Sequence, residues 1–313
     1  MKLRSRTSTH IRGRWLRAWA VLAALLLATL GVGAIGGPAH AATPGPVVTE
    51  ADGFDQECAL NSGQIAQVFD SYKYIYFFGF YLDAPDAAAW NSGHCPDQSG
   101  NTDKASIAAD ANIGIGLGMF YTGLQDPCSN YSGDFSTDTS TAHSQGADAA
   151  VDAWDEAEGL GFPGNVYIYD DLEAYNAGDS ACVSAATSYI SGWDSEMESL
   201  GGHPGVYGSV CGSDLTELAS SSPDPQAIWG AWYNTAASTS TASLDCIPNG
   251  DWDHNQRLVQ WSSTGALSTE GNSTLNDSPV DYDCADGPTM DIHYGAGITF
   301  GDRVCMGQGA FDE

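Results

Sequence analysis

Three acids within four residues, Asp170, Asp171 and Glu173, close the stretch Asn165 to Tyr175 (N-V-Y-I-Y-D-D-L-E-A-Y). Strand side chains alternate between faces. Read as a strand, this stretch puts Val166, Ile168, Asp170 and Leu172 on one side and Tyr167, Tyr169, Asp171, Glu173 and Tyr175 on the other. Asp171 and Glu173 then share an aromatic face, their backbones roughly 6.6 Å apart at about 3.3 Å of rise per residue. Two carboxyls coupled at that spacing leave one of them holding its proton more tightly than usual. General acid catalysis on a glycosidic bond needs such a group. In a chain with 40 acids, D-D-L-E also arises from composition, so the surroundings decide its weight.

Those surroundings alternate strands with helices. After a Pro- and Gly-containing linker at 42–52, Gly53-Phe54-Asp55 begins a first strand, and a helix follows over about 60–69. Tyr74 to Leu82 (Y-I-Y-F-F-G-F-Y-L) is apolar almost throughout, the mark of a strand buried on both faces. A loop at 83–102 holding Cys95 and a short helix at 103–112 lead to a strand over 114–121. Its glycines lie inside the strand with no helix opening there, so they signal close packing and not a dinucleotide site. Helices are predicted over 144–160, ended by Gly159, Gly161 and Pro163, and over 183–200, stopped by Gly201-Gly202. Further apolar runs at 204–211, 226–233, 257–262 and 289–293 complete eight candidate strands. The expected fold is α/β, a single disulfide-stabilised (β/α)8 TIM barrel over residues 53–313, with an open doubly wound sheet as the less economical alternative. Active sites of such barrels lie at strand C-terminal ends, where Asp55, Gln125, Asp171, Glu173, Gln260 and Asp291 recur.

Residues 1–41 carry six basic residues, an apolar run from Ala18 to Val32 and an Ala39-His40-Ala41 cleavage pattern, which read as a Sec-type signal peptide and a secreted, extracellular product. Its removal leaves Lys73, Lys104, Arg257 and Arg303 against all 40 acids. Such a surface excludes nucleic acid and anionic lipid as partners, and no later stretch suits a membrane span. Like charges at helical spacing, such as Asp148, Asp152 and Glu156, point to a salty or acidic exterior. All 8 cysteines follow the cleavage site, and four disulfides are expected, their connectivity open. No cofactor is implied, and no C-x-x-C pair or histidine cluster implies a metal.

Taken together, Gly53-Phe-Asp55, Tyr121-Thr-Gly-Leu-Gln125, Gln145-Gly-Ala-Asp-Ala-Ala150, Ile168 to Tyr175, Gly205-Val-Tyr207, Ile228-Trp-Gly-Ala-Trp232 and Val259-Gln-Trp261 resemble a secreted, mostly actinobacterial family of glycoside-hydrolase-like barrels, largely of unassigned function. That family is in turn similar to the family 25 lysozymes, which carry G-x-D on the first strand, D-x-E on the fourth, Gln-aromatic on the seventh and Asp on the eighth. The resemblance implies a site of Asp55, Asp171, Glu173, Gln260 and Asp291. In it Glu173 donates a proton to the leaving sugar oxygen, while Asp171 holds the electrostatics or orients a substrate N-acetyl group. Asp170 departs from the pattern, where an apolar or aromatic residue is usual, and if buried it needs a hydrogen-bonding partner. Ser/Thr/Asn-rich insertions at 129–141 and 234–251 overhang the predicted active face.

Two functions compete. One is a glycosidase acting on an amino-sugar polysaccharide or peptidoglycan, with Glu173 and Asp171 catalytic and Asp55, Gln125, Tyr207, Trp232, Gln260 and Asp291 binding substrate. Tyr81, Tyr121, Tyr207, Trp232 and Trp261 are its candidate sugar-stacking surfaces. The other is an inactive glycan-binding or wall-associated barrel. A serine hydrolase is excluded, since the nearest approach to G-x-S-x-G, Gly208-Ser-Val-Cys-Gly212, lacks the central serine. The sequence says nothing of oligomeric state.

Overall fold

The runs Ile75–Tyr81 and Gly116–Tyr121 are apolar along nearly their whole length because, in the fold, both of their faces are covered. A computed structural model of the chain describes residues 45–56, 60, 62–72, 75–82, 116–162, 164–211, 214–233, 247–248, 250–252, 256–267 and 278–291. The expected signal peptide, the loop at 83–102, the helix at 103–112 and most of the second insertion lie outside these residues. Eight strands close one α/β barrel in sequence order. They are β1 (Gly45–Gln56), β2 (Ile75–Tyr81), β3 (Gly116–Tyr121), β4 (Tyr167–Asp171), β5 (His203–Ser209), β6 (Ala227–Ala231), β7 (Arg257–Leu267) and β8 (Ser278–Asp291). The described helices are α1 (Ser62–Ser71), α2 (Thr139–Leu160), α3 (Ser180–Leu200) and the short α4 (Asp214–Leu218).

Alternation along the strands sorts side chains into two layers. Phe77, Phe120, Tyr169, Tyr207, Trp229 and Leu258 pack together inside the barrel, while Leu117, Ile168, Val206, Ile228 and Val259 join the helices outside it. The inner layer explains the glycines of β2 and β3. A Cβ at Gly79 or Gly118 would collide with the Trp229 indole, which fills the space those residues leave. Outside, α2 and α3 cross closely because a Cβ at Gly146 would strike the Tyr189 carbonyl and one at Gly192 the His143 carbonyl.

Both long helices begin earlier than their apolar periodicity predicts. The Asp138 carboxylate accepts from the Thr141 N–H at 2.9 Å and Asp179 from the Ala181 N–H at 2.9 Å, so each Asp caps a polar first turn. They end as expected, at Gly161 and Gly201, whose φ values of 99° and 93° favour glycine. A disulfide joins Cys128, in the loop after β3, to Cys182 in the first turn of α3; Cys211 and Cys284 are disulfide-bonded too, and no described cysteine is free.

One strand departs from the expected topology. β1 to β7 pair in parallel, but β8 runs antiparallel to both β7 and β1. Its register runs from Asp281 opposite Asp55 to Asp291 opposite Gly45, and Asp291 also pairs with Gly116 at the start of β3. The end of β8 therefore lies at the bottom of the barrel, and its beginning reaches the active face. Residues 45–52, read as a linker, belong to β1, because the far half of β8 supplies their backbone with a partner.

Candidate active site

At the C-terminal ends of β1 and β4, Asp55 and Asp171 point into the barrel mouth, each about 2% exposed. β4 ends at Asp171, so Glu173 lies beyond the ladder. Gln125 takes the place of a neighbouring strand there. Its amide nitrogen donates to the Asp171 carbonyl at 2.7 Å, and its amide oxygen accepts the Glu173 N–H at 2.9 Å. This side chain fixes the direction of Glu173 by holding backbone. Tyr175, expected on the same face as Glu173, turns away into the outer core, where its hydroxyl reaches the Asp214 carbonyl at 3.5 Å.

A second amide organises the opposite wall. The Gln260 nitrogen donates to Asp55 Oδ2 at 2.8 Å and Asp281 Oδ2 at 3.1 Å, and its oxygen accepts from Tyr207 at 2.8 Å and Tyr233 at 2.6 Å. Every hydrogen-bonding position of that amide is filled. Asp283, on the same face of β8 as Asp281, accepts the Trp229 indole N–H at 2.8 Å and lies against Asp55.

Asp55, Asp171, Glu173, Asp281 and Asp283 thus converge, and each is held toward its protonated form. Burial, and after it the Asp281 charge, pushes Asp55 up to about 8 against the pull of the Gln260 amide. Burial, then the charges of Glu173, Asp170 and Asp55, carries Asp171 well above the usual carboxylate range, opposed by the Tyr81 hydroxyl. Burial, then Asp55, does the same to Asp283. Asp281, nearer solvent, is pushed up to about 6 by burial and by Glu173. Glu173 is raised by burial, while the Tyr131 hydroxyl and the Ala174 N–H favour its anion. A carboxyl that keeps its proton in a mouth open to solvent can deliver it to a bound oxygen. Beside these acids is a pocket of about 340 Å³ lined by Glu173, Ala174, Tyr207, Ser209, Cys211, Ala231, Trp232 and Tyr233.

Asp55, Gln125, Asp171, Glu173, Tyr207, Trp232 and Gln260 gather at one end of the barrel, and Asp291 does not, because β8 is reversed. Of the aromatic candidates, Tyr81, Tyr207 and Trp232 border the site, whereas Tyr121 stacks on Trp193 and Trp261 packs against Tyr282, both in the outer core. Asp170 is fully buried on the helix side, where the Tyr189 hydroxyl at 3.3 Å supplies the partner its position demands. A Cβ at Gly123 would collide with that pair, which accounts for the glycine of Tyr121-Thr-Gly-Leu-Gln125. The first insertion contributes Tyr131, 43% exposed, whose hydroxyl reaches Glu173. Asp281, Asp283, Tyr131 and Tyr233 escaped the sequence reading, although Asp281-x-Asp283 repeats the spacing of Asp171-x-Glu173. Among the described residues Asp126, Cys128 and Cys182 cluster at the spacing of metal ligands, but the two sulfurs are bonded to each other and offer no thiolate.

A family model described as "Rv2525c-like, glycoside hydrolase-like domain" matches residues 76–283, a span that includes all of these site residues except Asp55. The chain belongs to the Rv2525c-like family. The resemblance read from the sequence is therefore to the right family, and the match makes the chain a glycoside hydrolase-like domain. No curated protein is matched by this Rv2525c-like chain. Solved structures similar to it include an uncharacterised protein of B. stearothermophilus, at 18% identity over 75% of this chain and 95% of that one, with a TM-score of 0.48. A family 25 glycosyl hydrolase from Bacillus anthracis is similar at 14% identity over 76% and 89%, with a TM-score of 0.47. The modular autolysin LytC from Streptococcus pneumoniae, in complex with a synthetic peptidoglycan ligand, is similar at 11% identity over 77% of this chain and 46% of that one, with a TM-score of 0.46.

Proposed function

We propose that this Rv2525c-like domain is a secreted glycoside hydrolase that cleaves an amino-sugar polysaccharide of cell walls or of the environment, with Glu173 as general acid. The observation that carries the reading is the placement of Glu173 on the pocket wall, raised toward its protonated form by burial and fixed through its backbone by Gln125. Glu173 gives its proton to the glycosidic oxygen as the bond to the anomeric carbon breaks, and water that then adds to that carbon gives up a proton to the Glu173 carboxylate. In its ionised form, which burial makes the scarcer one, Asp171 supports the positive charge that develops on the sugar, with Oδ1 buried and without a hydrogen-bond partner among the described residues. Tyr207, Trp232 and Tyr233 offer ring faces for the sugar, and the proposed signal peptide at 1–41 delivers the enzyme outside the cell.

The test is reducing-sugar release from purified peptidoglycan and from a chitin-type oligomer, by the native protein and by Glu173→Gln. Loss of the proton donor lowers release by about 10² to 10⁴ while glycan binding persists. Equal release by both proteins refutes the assignment of Glu173. Binding without release by either protein makes the barrel a glycan-binding module.

A further inference from the structure

Among the described residues, the acids of this site have no lysine or arginine partner. Among the described residues the only lysine or arginine is Arg257. It is buried at the start of β7, far from the barrel mouth, where its guanidinium donates to the carbonyls of Trp252 at 2.7 Å, Pro248 at 3.0 Å and Asp251 at 2.6 Å. The donors from described residues turned toward the acid cluster are neutral: the Gln260 amide, the hydroxyls of Thr122, Tyr81 and Tyr131, and the Trp229 indole. Asp171 Oδ1, on a residue 2% exposed, has no hydrogen-bond partner among the described residues. Among the described residues, the mouth is richer in acceptors than in donors and carries no lysine or arginine.

We propose that the glycan taken by this site is at least partly free of N-acetyl groups, and that the ammonium of one amino sugar is held by the Asp281 and Asp55 carboxylates beside Gln260. The proposal rests on the glycan-cleaving reading above and narrows its substrate. Asp281, like Glu173, is only partly buried, and one nitrogen of Gln260 holds its Oδ2 and that of Asp55 side by side, which gives a cation two oxygens at once. An ammonium brings three donors and a charge to a wall of acceptors, whereas an N-acetyl group brings one donor and a further acceptor oxygen. Tyr233, 50% exposed and bonded to the same Gln260, presents a ring at this edge for the sugar or its cation. Because the carboxyls hold protons in the absence of a counter-charge, seating an ammonium among them releases protons, and a neutral sugar does not.

Binding of a glucosamine hexamer and an N-acetylglucosamine hexamer is measured by calorimetry at high salt, in two buffers of different ionisation enthalpy, with reducing-end release followed in parallel. The amine-bearing oligomer is expected to bind about tenfold or more tightly, the factor a charge-assisted hydrogen bond supplies, with net proton release. Asp281→Asn removes a single charge from a very acidic protein, so loss of the preference in that variant and its return in Asp281→Glu assign it to the site and not to overall charge. Equal or tighter binding of the N-acetylated oligomer overturns the proposal. If Glu173-dependent release from that oligomer accompanies it, the glycosidase reading stands alone. A preference that survives Asp281→Asn overturns the assignment of the ammonium site. A preference lost in that variant, with no cleavage of either oligomer, supports the amine site and removes the glycosidase reading.

Discussion

Gln125 joins the Asp171 carbonyl to the Glu173 N–H, and its replacement by alanine leaves both groups without that partner at the edge of the site. Gln125→Ala is expected to lower stability by about 1–3 kcal/mol, the cost of unpaired buried polar groups. With Glu173 in its proposed role as general acid, a further effect on positioning is expected: kcat falls while KM holds, and the limb of the pH profile set by Glu173 shifts, because the acid no longer points at the scissile oxygen. Gln125→Glu keeps the acceptor for the Glu173 N–H and recovers some of the rate. Steady-state kinetics across pH, beside urea denaturation, separate the two effects. Much at this scale was legible. Asp171 and Glu173 stood out through strand alternation, and Gln125 through its place after a predicted strand. Its role as a clamp on backbone was not, since no pattern in the sequence tells a side chain that binds substrate from one that replaces a missing strand. Asp291 was read and Asp281 missed for a different reason: the last strand was placed at 289–293 and expected to run parallel, whereas it spans Ser278–Asp291 and runs antiparallel, and a period of two looks the same in either direction.

At the scale of elements, β2, β3 and β6 depend on one another through a shared volume. Trp229 occupies the space above Gly79 and Gly118, and the position of its indole sets that of Asp283. Gly118→Ala is expected to cost about 1–3 kcal/mol by overpacking and to displace Asp283 from the wall it shares with Asp55. Thermal melts report the first effect and loss of turnover the second. Gly192→Ala acts elsewhere, forcing α3 off the His143 carbonyl, and it should lower the melting temperature while leaving the pH profile of the proposed activity unchanged. The glycines inside the third strand were rightly read as packing and not phosphate binding, yet the tryptophan that needs them lies more than a hundred residues away and carries no local trace of the match. Helix ends at Gly161 and Gly201 were visible because left-handed caps select glycine. Helix starts were missed because Asp138 and Asp179 open turns of Thr, Ser and Ala that carry no apolar period.

Across the whole molecule the buried acids set the response to pH. Asp126, Asp214 and Asp281 are raised from the ordinary 3.8 to about 6 and Asp55 to about 8, in each case first by burial. Between these values the folded chain binds more protons than the unfolded one, so stability falls as pH rises from about 4 toward about 8. The melting temperature is expected to be higher at about pH 5 than at about pH 8, and a melt series across that range checks it; a flat or rising profile contradicts the burial of these carboxyls. The acidic setting expected from composition is thus one in which the fold is also at its firmest. The barrel itself closes by an antiparallel seam, in which Gly45 faces Asp291 and the pairing runs to Asp55 opposite Asp281. Force applied between Gly45 and Asp291 would load this seam at its last rung. Its hydrogen bonds would then break in succession, as a zip opens, and not all together in shear. Tethered by these two points, the barrel is mechanically soft, and tearing would travel up the seam until it reached the acids at the mouth.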